Sequence, residues 1–260
     1  MKKITSYSTI ALTALLLATG CSKTTTDTTK TDAHHAKHWG YTADVGPSHW
    51  SELNENFKMC SQGKMQTPIN IIPTTDIELP ALNLNYSTGS KSIIDNGHTV
   101  QVNITGGSIL KIDGADYKLK QFHFHTPSEN NINSKSFPLE AHFVHATDDG
   151  KLAVVAVMFK EGAENATLAK IWKKLPVLKR GTEAKCGLTS DEVKSLMPTD
   201  KDYYKFTGSL TTPPCSEDVK WHVYKTPLTV SKAQASQFTA LFGHPNNRPI
   251  QDTNKRVIEE

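Results

Sequence analysis

Period two is the feature that most restricts how this chain can fold. From Trp39 onward, short runs rich in β-branched and aromatic residues recur: "HTVQVNI", "YKLKQFHFH", "LEAHFVHA", "LAVVAVMF" and "VKWHVYK". Several alternate in the way a strand with one buried face requires. Turn pairs such as "NG", "GG" and "DG" separate them, and these suit tight hairpins. Helical spacing is rarer. "AENATLAKIWKKL" and "SKAQASQFTALF" carry it, and "TSDEVKSLM" adds a short candidate capped by Ser190 or Thr189. The expected fold is mainly β (α+β), an antiparallel sheet with a few peripheral helices.

With 260 residues, 37% of them hydrophobic, the chain can bury a sizeable core. No internal repeat or linker interrupts residues 39–260, so a single domain is expected there. Ahead of it, Lys2 and Lys3 precede an apolar run over residues 10–17 that is too short to span a bilayer as a mature helix. Residues 1–20 therefore read as a signal peptide. The run ends in "LLLATGCSK", where a cysteine after small residues resembles the lipobox of bacterial lipoproteins. Cys21 would be the lipidated residue, with Ala18 in place of the usual leucine. Residues 21–38, a threonine- and lysine-rich tract, bury too little apolar area to order themselves and read as a disordered polar tether. On this reading His34, His35 and His38 are solvated, and the mature chain is exported to the periplasm or cell envelope on a lipid anchor. Removing Lys2 and Lys3 takes the formal charge from +3 to +1. That balance suggests neither a nucleic-acid groove nor a polybasic membrane patch, and points to a small partner.

In "QFHFHTPSEN", residues 121–130, alternation sets Gln121, His123 and His125 on one face and Phe122 and Phe124 on the other. The phenylalanines must face a core. The histidines then look into a cavity, where unpaired imidazoles are costly unless something binds them. A metal is the natural occupant, although strand histidines are also commonly half-buried and simply hydrogen-bonded. In "LEAHFVH" the same alternation groups Glu140, His142 and Val144 opposite Ala141, Phe143 and His145. With "NNINSK" as a hairpin tip, an antiparallel neighbour brings His142 to the first two histidines; His145 is left as structural. Three neutral nitrogens leave zinc a fourth position for water and an uncancelled charge, which lowers the pKa of that water to about 7.

Seven segments then stand in one order: "HWGY" (38–41), "QTPINI" (66–71), "NGH" (96–98), "QFHFHTPSEN", "LEAHFVH", "GSLTTPPC" (208–215) and "NNRPIQ" (246–251). Through them the globular part of the chain resembles the α-class carbonic anhydrases of the exported bacterial type. The resemblance implies reversible hydration of carbon dioxide to bicarbonate and a proton by zinc-bound hydroxide. It implies Zn2+ on His123, His125 and His142, and a large twisted, mostly antiparallel central sheet. Gln121 and Glu140 would accept the outer ring nitrogens of the ligands, fixing their tautomers. Thr211 would accept a hydrogen bond from the hydroxide and donate one to Glu129, a double role that needs a hydroxyl. Thr212 would line the substrate and product side, and Val144, Val154, Leu210 and Trp221 would form an apolar wall for carbon dioxide. His98 would shuttle protons, a task suited to an imidazole with an ordinary pKa near 6.5.

Plainer readings stand beside these: a turn for Thr211, core packing for the wall, a turn histidine for His98. Asn130 departs from the family pattern, where many relatives carry histidine next to the carboxylate, and the departure bears on a supporting hydrogen bond. With Cys21 lipidated, three cysteines remain, and an oxidising compartment favours one pair. The resemblance pairs Cys60 with Cys215 and leaves Cys186 free. It also implies a homodimer, although no segment marks an interface. His123, His125 and Glu129 also spell H-x-H-x3-E, the first metal motif of cupins, which would hold iron, manganese or nickel. The glycine- and proline-rich segment that cupins place before their last histidine is missing from "FPLEAH". A zinc-free binding module of carbonic-anhydrase type is opposed by the intact ligands, Thr211 and Glu129.

Overall fold

In the computed structural model, which describes residues 38–260, the alternating runs become strands. The expected signal peptide, Cys21, His34 and His35 lie outside the described residues. The strands are β1 (Asn70–Ile71), β2 (Asn83–Asn85), β3 (Ser90–Asp95), β4 (Val100–Ile104), β5 (Ile109–Ile112), β6 (Ala115–His125), β7 (Asn131–Ile132), β8 (Leu139–Ala146), β9 (Leu152–Glu161), β10 (Tyr203–Gly208), β11 (Val219–Tyr224) and β12 (Leu228–Val230). Ten of them form one sheet whose spine runs β10-β11-β9-β8-β6-β4-β3, with β2, β5 and β12 attached at its sides. Most neighbours are antiparallel, as expected. The exceptions are β11 and β12, which join β9 in parallel, and the separate β1–β7 pair.

The sheet buries both faces. Phe122, Phe124, Phe143 and Val155 point to the larger apolar core, which also takes Leu168, Ile171 and Phe238 from the helices Ala166–Trp172 and Lys232–Phe242. Val154, Met158, Phe206 and Trp221 face the smaller core on the other side. Each of these helices begins where its sequence allows. Asn165 Oδ1 accepts from Leu168 N at 3.0 Å. Ser231 and Gln234 form a capping box, and Gly243 closes the helix in the left-handed region at φ 71°. In the short helix Ser190–Lys194 the cap is Thr189 rather than Ser190, again with a capping box. Brief helical turns at residues 43–45, 50–53, 55–57, 59–62 and 175–177 escaped the sequence reading, because they are too short to show a helical period. Among the described residues no helix is long and apolar enough to cross a membrane.

One irregularity decides which side chains share a face. Between Leu119 and Gln121 the β6–β8 register shifts, leaving Lys120 without a partner. Tyr117 and Leu119 before this bulge, and Phe122 and Phe124 after it, all face the larger core. Strict alternation would have kept Gln121, His123 and His125 on the side of Tyr117 and Leu119. The extra residue turns the three polar side chains to the opposite face, as bulges near functional sites do. The "NNINSK" turn forms as expected, with Asn133 and Ser134 at φ 48° and 64° and Ile132 and Lys135 exchanging hydrogen bonds of 3.0 and 2.9 Å.

His145 points to the larger core side, fully buried, with Nε2 2.8 Å from the Tyr86 hydroxyl. Burial pushes its pKa down to about 3. An imidazole held neutral in the fold takes up a proton more readily when unfolded. Its contribution is therefore complete above about pH 6.5 and is lost as pH falls toward 3, at about 1.4 kcal/mol per pH unit. Urea midpoints are expected to drop over that window. His145→Gln, which still offers Tyr86 a partner but cannot protonate, should flatten the slope; an unchanged slope would place the acid sensitivity elsewhere.

Cys60 and Cys215 form a disulfide across a sequence separation of 155, with Cα atoms 5.0 Å apart, while Cys186 is free and buried. The bond packs with Trp50 in a third apolar cluster, flanked by Trp39 and Tyr41. A loop of this length contributes up to about 5 kcal/mol in the chain-entropy model. Cys60→Ser is expected to lower the guanidinium unfolding midpoint accordingly, and reduction of the wild type should reproduce the shift. Equal midpoints would show that the bond constrains nothing.

Candidate metal centre

Directly opposed pairing of β6 and β8 sets His142 across from His123 and Glu140 across from His125. One nitrogen from each of His123, His125 and His142 falls within 4.8 Å of the others. The second nitrogen of each ring lies against an acceptor. His123 Nδ1 lies 2.8 Å from Gln121 Oε1, His125 Nδ1 lies 2.8 Å from the Asn246 carbonyl, and His142 Nε2 lies 2.8 Å from Glu140 Oε1. All three partners are acceptors, so each ring carries its proton on the outer nitrogen. The convergent atoms are then the unprotonated His123 Nε2, His125 Nε2 and His142 Nδ1. Burial, first of all, pushes the His123 and His125 imidazoles below their usual range, which keeps them neutral and ready to act as ligands.

His125 Nε2 and Glu129 Oε2, 3.4 Å apart, are buried without a hydrogen-bond partner, and His142 Nε2 meets Glu140 Oε1 as a close polar contact without hydrogen-bond geometry. Leaving such atoms bare costs roughly 1–3 kcal/mol each; a cation between the three nitrogens would remove the deficit at His125. Three imidazole donors with no thiolate, converging from two neighbouring strands, fit zinc with a coordination position to spare.

Glu140 is enclosed by donors. Besides His142, its carboxylate accepts from Glu129 N at 2.7 Å, Asn130 N at 2.9 Å and Asn130 Nδ2 at 2.8 Å. Burial alone would raise its pKa, but His142 and the N–H donors outweigh that and bring it below the usual value. Asn130, the departure from the family pattern, thus does supply the supporting hydrogen bond. Glu129 Oε1 accepts from Arg248 N at 2.8 Å. Burial lifts the Glu129 carboxyl to about 7, opposed by His142 and by the Thr211 hydroxyl. Thr211 is buried and Thr212 partly so.

Val144, Val154 and Trp221 lie side by side across β8, β9 and β11. Leu210 joins the same apolar cluster, and the Trp221 ring stands 5.0 Å from that of His142. The four residues expected to form a wall are therefore together, next to the histidines. His98 follows a turn in which Asn96 Oδ1 accepts from the N–H groups of His98 and Thr99 at 3.0 Å each. Its ring stacks on Trp39 at 3.6 Å, with Nε2 2.9 Å from His38 Nε2. Burial, then His38, pushes its pKa down to about 4. His38 is exposed, as a tether residue would be, yet it contacts the candidate shuttle.

The sequence reading assigned no role to Asn246 or Arg248, although both lie in "NNRPIQ". Asn246 acts on His125 through a backbone carbonyl, which no residue type signals. Arg248, 2% exposed, donates to Gln66 Oε1 and the carbonyls of Thr67 and Cys60, each at 2.8 Å. Gln66 Nε2 in turn donates to the Cys215 carbonyl at 3.0 Å. The disulfide and the Glu129 carboxylate are thus joined through one buried guanidinium residue.

The model for eukaryotic-type carbonic anhydrases matches residues 45–260. The chain is 45% identical over 245 residues to a carbonic anhydrase of Pectobacterium carotovorum, covering 94% of this chain and 96% of that protein. Among solved structures, the Photobacterium profundum α-carbonic anhydrase superposes with a TM-score of 0.78 at 47% identity, covering 86% of this chain and all of that one (100%). The α-carbonic anhydrase of Thermovibrio ammonificans, solved with the inhibitor sulfanilamide, gives a TM-score of 0.81 at 40% identity, covering 86% of this chain and 99% of that one. The chain belongs to the α-class, or eukaryotic-type, family of carbonic anhydrases, lyases that interconvert carbon dioxide and bicarbonate.

Proposed function

We propose that the chain hydrates carbon dioxide reversibly with zinc held by His123, His125 and His142, and that His98 carries the proton away. The observation that supports this most directly is the convergence of three ring nitrogens whose opposite nitrogens each lie 2.8 Å from an acceptor. Zinc supplies a Lewis acid that makes water nucleophilic near neutral pH.

The remaining work falls to the chain. Gln121, the Asn246 carbonyl and Glu140 hold the rings in one tautomer. Glu129, kept short of donors on Oε2, is an acceptor toward which the Thr211 hydroxyl turns its hydrogen, leaving its own lone pairs facing the reacting water. Orientation of this kind contributes much of an enzyme's rate. Val144, Val154, Leu210 and Trp221 offer carbon dioxide an apolar surface with no donor to compete for, and Thr212 stands where bicarbonate leaves. His98 takes up protons poorly while stacked on Trp39, because its pKa there is about 4. Moving the ring into water would return it toward 6.5 and let it accept and release a proton around neutral pH.

Export by the signal in residues 1–20 and lipidation of Cys21 complete the proposal, and a disulfide fits an oxidising compartment. Cys21→Ser should move the chain from the membrane fraction to the soluble fraction; retention in the membrane would refute the anchor. The homodimer implied by the resemblance is read from the solution mass.

Stopped-flow hydration and metal analysis on the purified chain test the main reading. The wild type is expected to carry zinc, hydrate carbon dioxide and be inhibited by sulfanilamide. His142→Ala should lose most of the zinc and nearly all activity. His98→Ala should lower kcat far more than kcat/KM, with imidazole buffer restoring the rate. Full zinc occupancy in His142→Ala, or a zinc-loaded wild type that is inert, would overturn the metal assignment, and a kcat loss that resists imidazole would remove His98 from the path.

A further inference from the structure

We infer that Asn130 is a positioning residue for the metal centre, acting through Glu140 on His142. The inference rests on the proposed zinc centre and goes beyond it by adding a residue one step further out.

The Asn130 side chain is fully buried and uses both ends of its carboxamide. Nδ2 donates to Glu140 Oε1 at 2.8 Å, and Oδ1 accepts from Ile69 N at 3.0 Å. Glu140 Oε1 is the same oxygen that lies 2.8 Å from His142 Nε2. Its other oxygen is held by two backbone N–H groups, from Glu129 and Asn130. Without Asn130 Nδ2, the oxygen that meets the ligand would be the less restrained of the two, with the histidine as its remaining partner. The carboxylate could then twist about its two backbone bonds and carry the His142 ring with it.

The Ile69 contact supplies the fixed end. Ile69 is fully buried in the smaller core, and Ile71, two residues on, lies in the β1–β7 pair. Asn130 thus references Glu140 to the packed sheet rather than to its own turn alone. An amide is suited to this place. It donates to one neighbour and accepts from the other without gaining or losing a proton, so the support is the same at every pH at which the protein is folded. Buried polar groups gain their full worth only when every donor and acceptor is matched, and here both ends are.

A residue that only stabilised the fold would weaken the metal-free and zinc-loaded forms alike. One that orients a ligand weakens the loaded form more and speeds metal release. Outer partners of metal ligands typically change metal affinity by about 10–100-fold when removed. The test is the rate of zinc release to excess chelator from wild type, Asn130→Ala and Asn130→Asp, with thermal midpoints of metal-free and zinc-loaded protein measured in parallel. Asn130→Asp keeps the shape and the acceptor for Ile69 while losing the donor to Glu140, so it tests the contact even if the alanine variant fails to fold.

Both variants are expected to release zinc about tenfold faster and to lose more thermal stability loaded than metal-free. Release within twofold of wild type, or equal losses in the two forms, would overturn the inference while leaving the zinc centre standing. A wild type that retains no zinc would overturn both.

Discussion

The site depends on three imidazoles gathered on one sheet face, two of them buried and His123 half-buried, with one nitrogen of each converging on a common point. That arrangement is unfavourable in itself, because buried polar atoms without partners cost free energy and neighbouring rings invite rotation to find one. It persists because each ring is held from behind by an acceptor on a different part of the chain. Gln121 lies on the same strand as its ligand, Glu140 on β8, and Asn246 in the C-terminal segment. Rotation of any ring would lose a polar contact of 2.8 Å. The unpaired nitrogens are therefore a consequence of the paired ones.

The supports are themselves supported, and this links regions far apart in the chain. The turn that carries Glu129 and Asn130 gives three N–H donors to Glu140 while presenting the Glu129 carboxylate toward the Thr211 side. Arg248 fixes Glu129 through its backbone and the Cys60 end of the disulfide through its guanidinium. Cys215 closes that circuit four residues after Thr211. The hydroxyl expected to orient the nucleophile thus sits on a loop tied covalently at one end and by buried hydrogen bonds to the carboxylate it serves.

Electrostatics divide the histidines by task. His145, on the far face with Tyr86 as partner, is kept neutral by burial and serves the core. His123 and His125 are kept neutral by burial too, but their free nitrogens face a common point. His98 stacks on the Trp39 ring, where burial, then His38, brings its pKa down to about 4. Identical side chains thus differ in chemistry through exposure and through what meets each nitrogen.

Much of this was legible from residue order. The runs "LEAHFVHA" and "LAVVAVMF" marked the strands and which side chains share a face, because successive residues of a strand point to opposite sides; that both faces are buried was decided by the packing on each side of the sheet. The histidine spacing and the landmarks around it revealed the candidate ligands, Glu140 and the wall residues, since those roles depend on residue type. Three things were decided only by tertiary structure. The unpaired Lys120 turns Gln121, His123 and His125 away from the face of Tyr117 and Leu119, and a bulge leaves no mark in composition. The third acceptor is a backbone carbonyl, of Asn246, which every residue possesses and none advertises. Arg248 and Asn130 acquire their roles from partners up to 188 positions away. Local sequence sets propensities and faces, whereas such contacts exist only once the sheet has closed and brought the distant segments together.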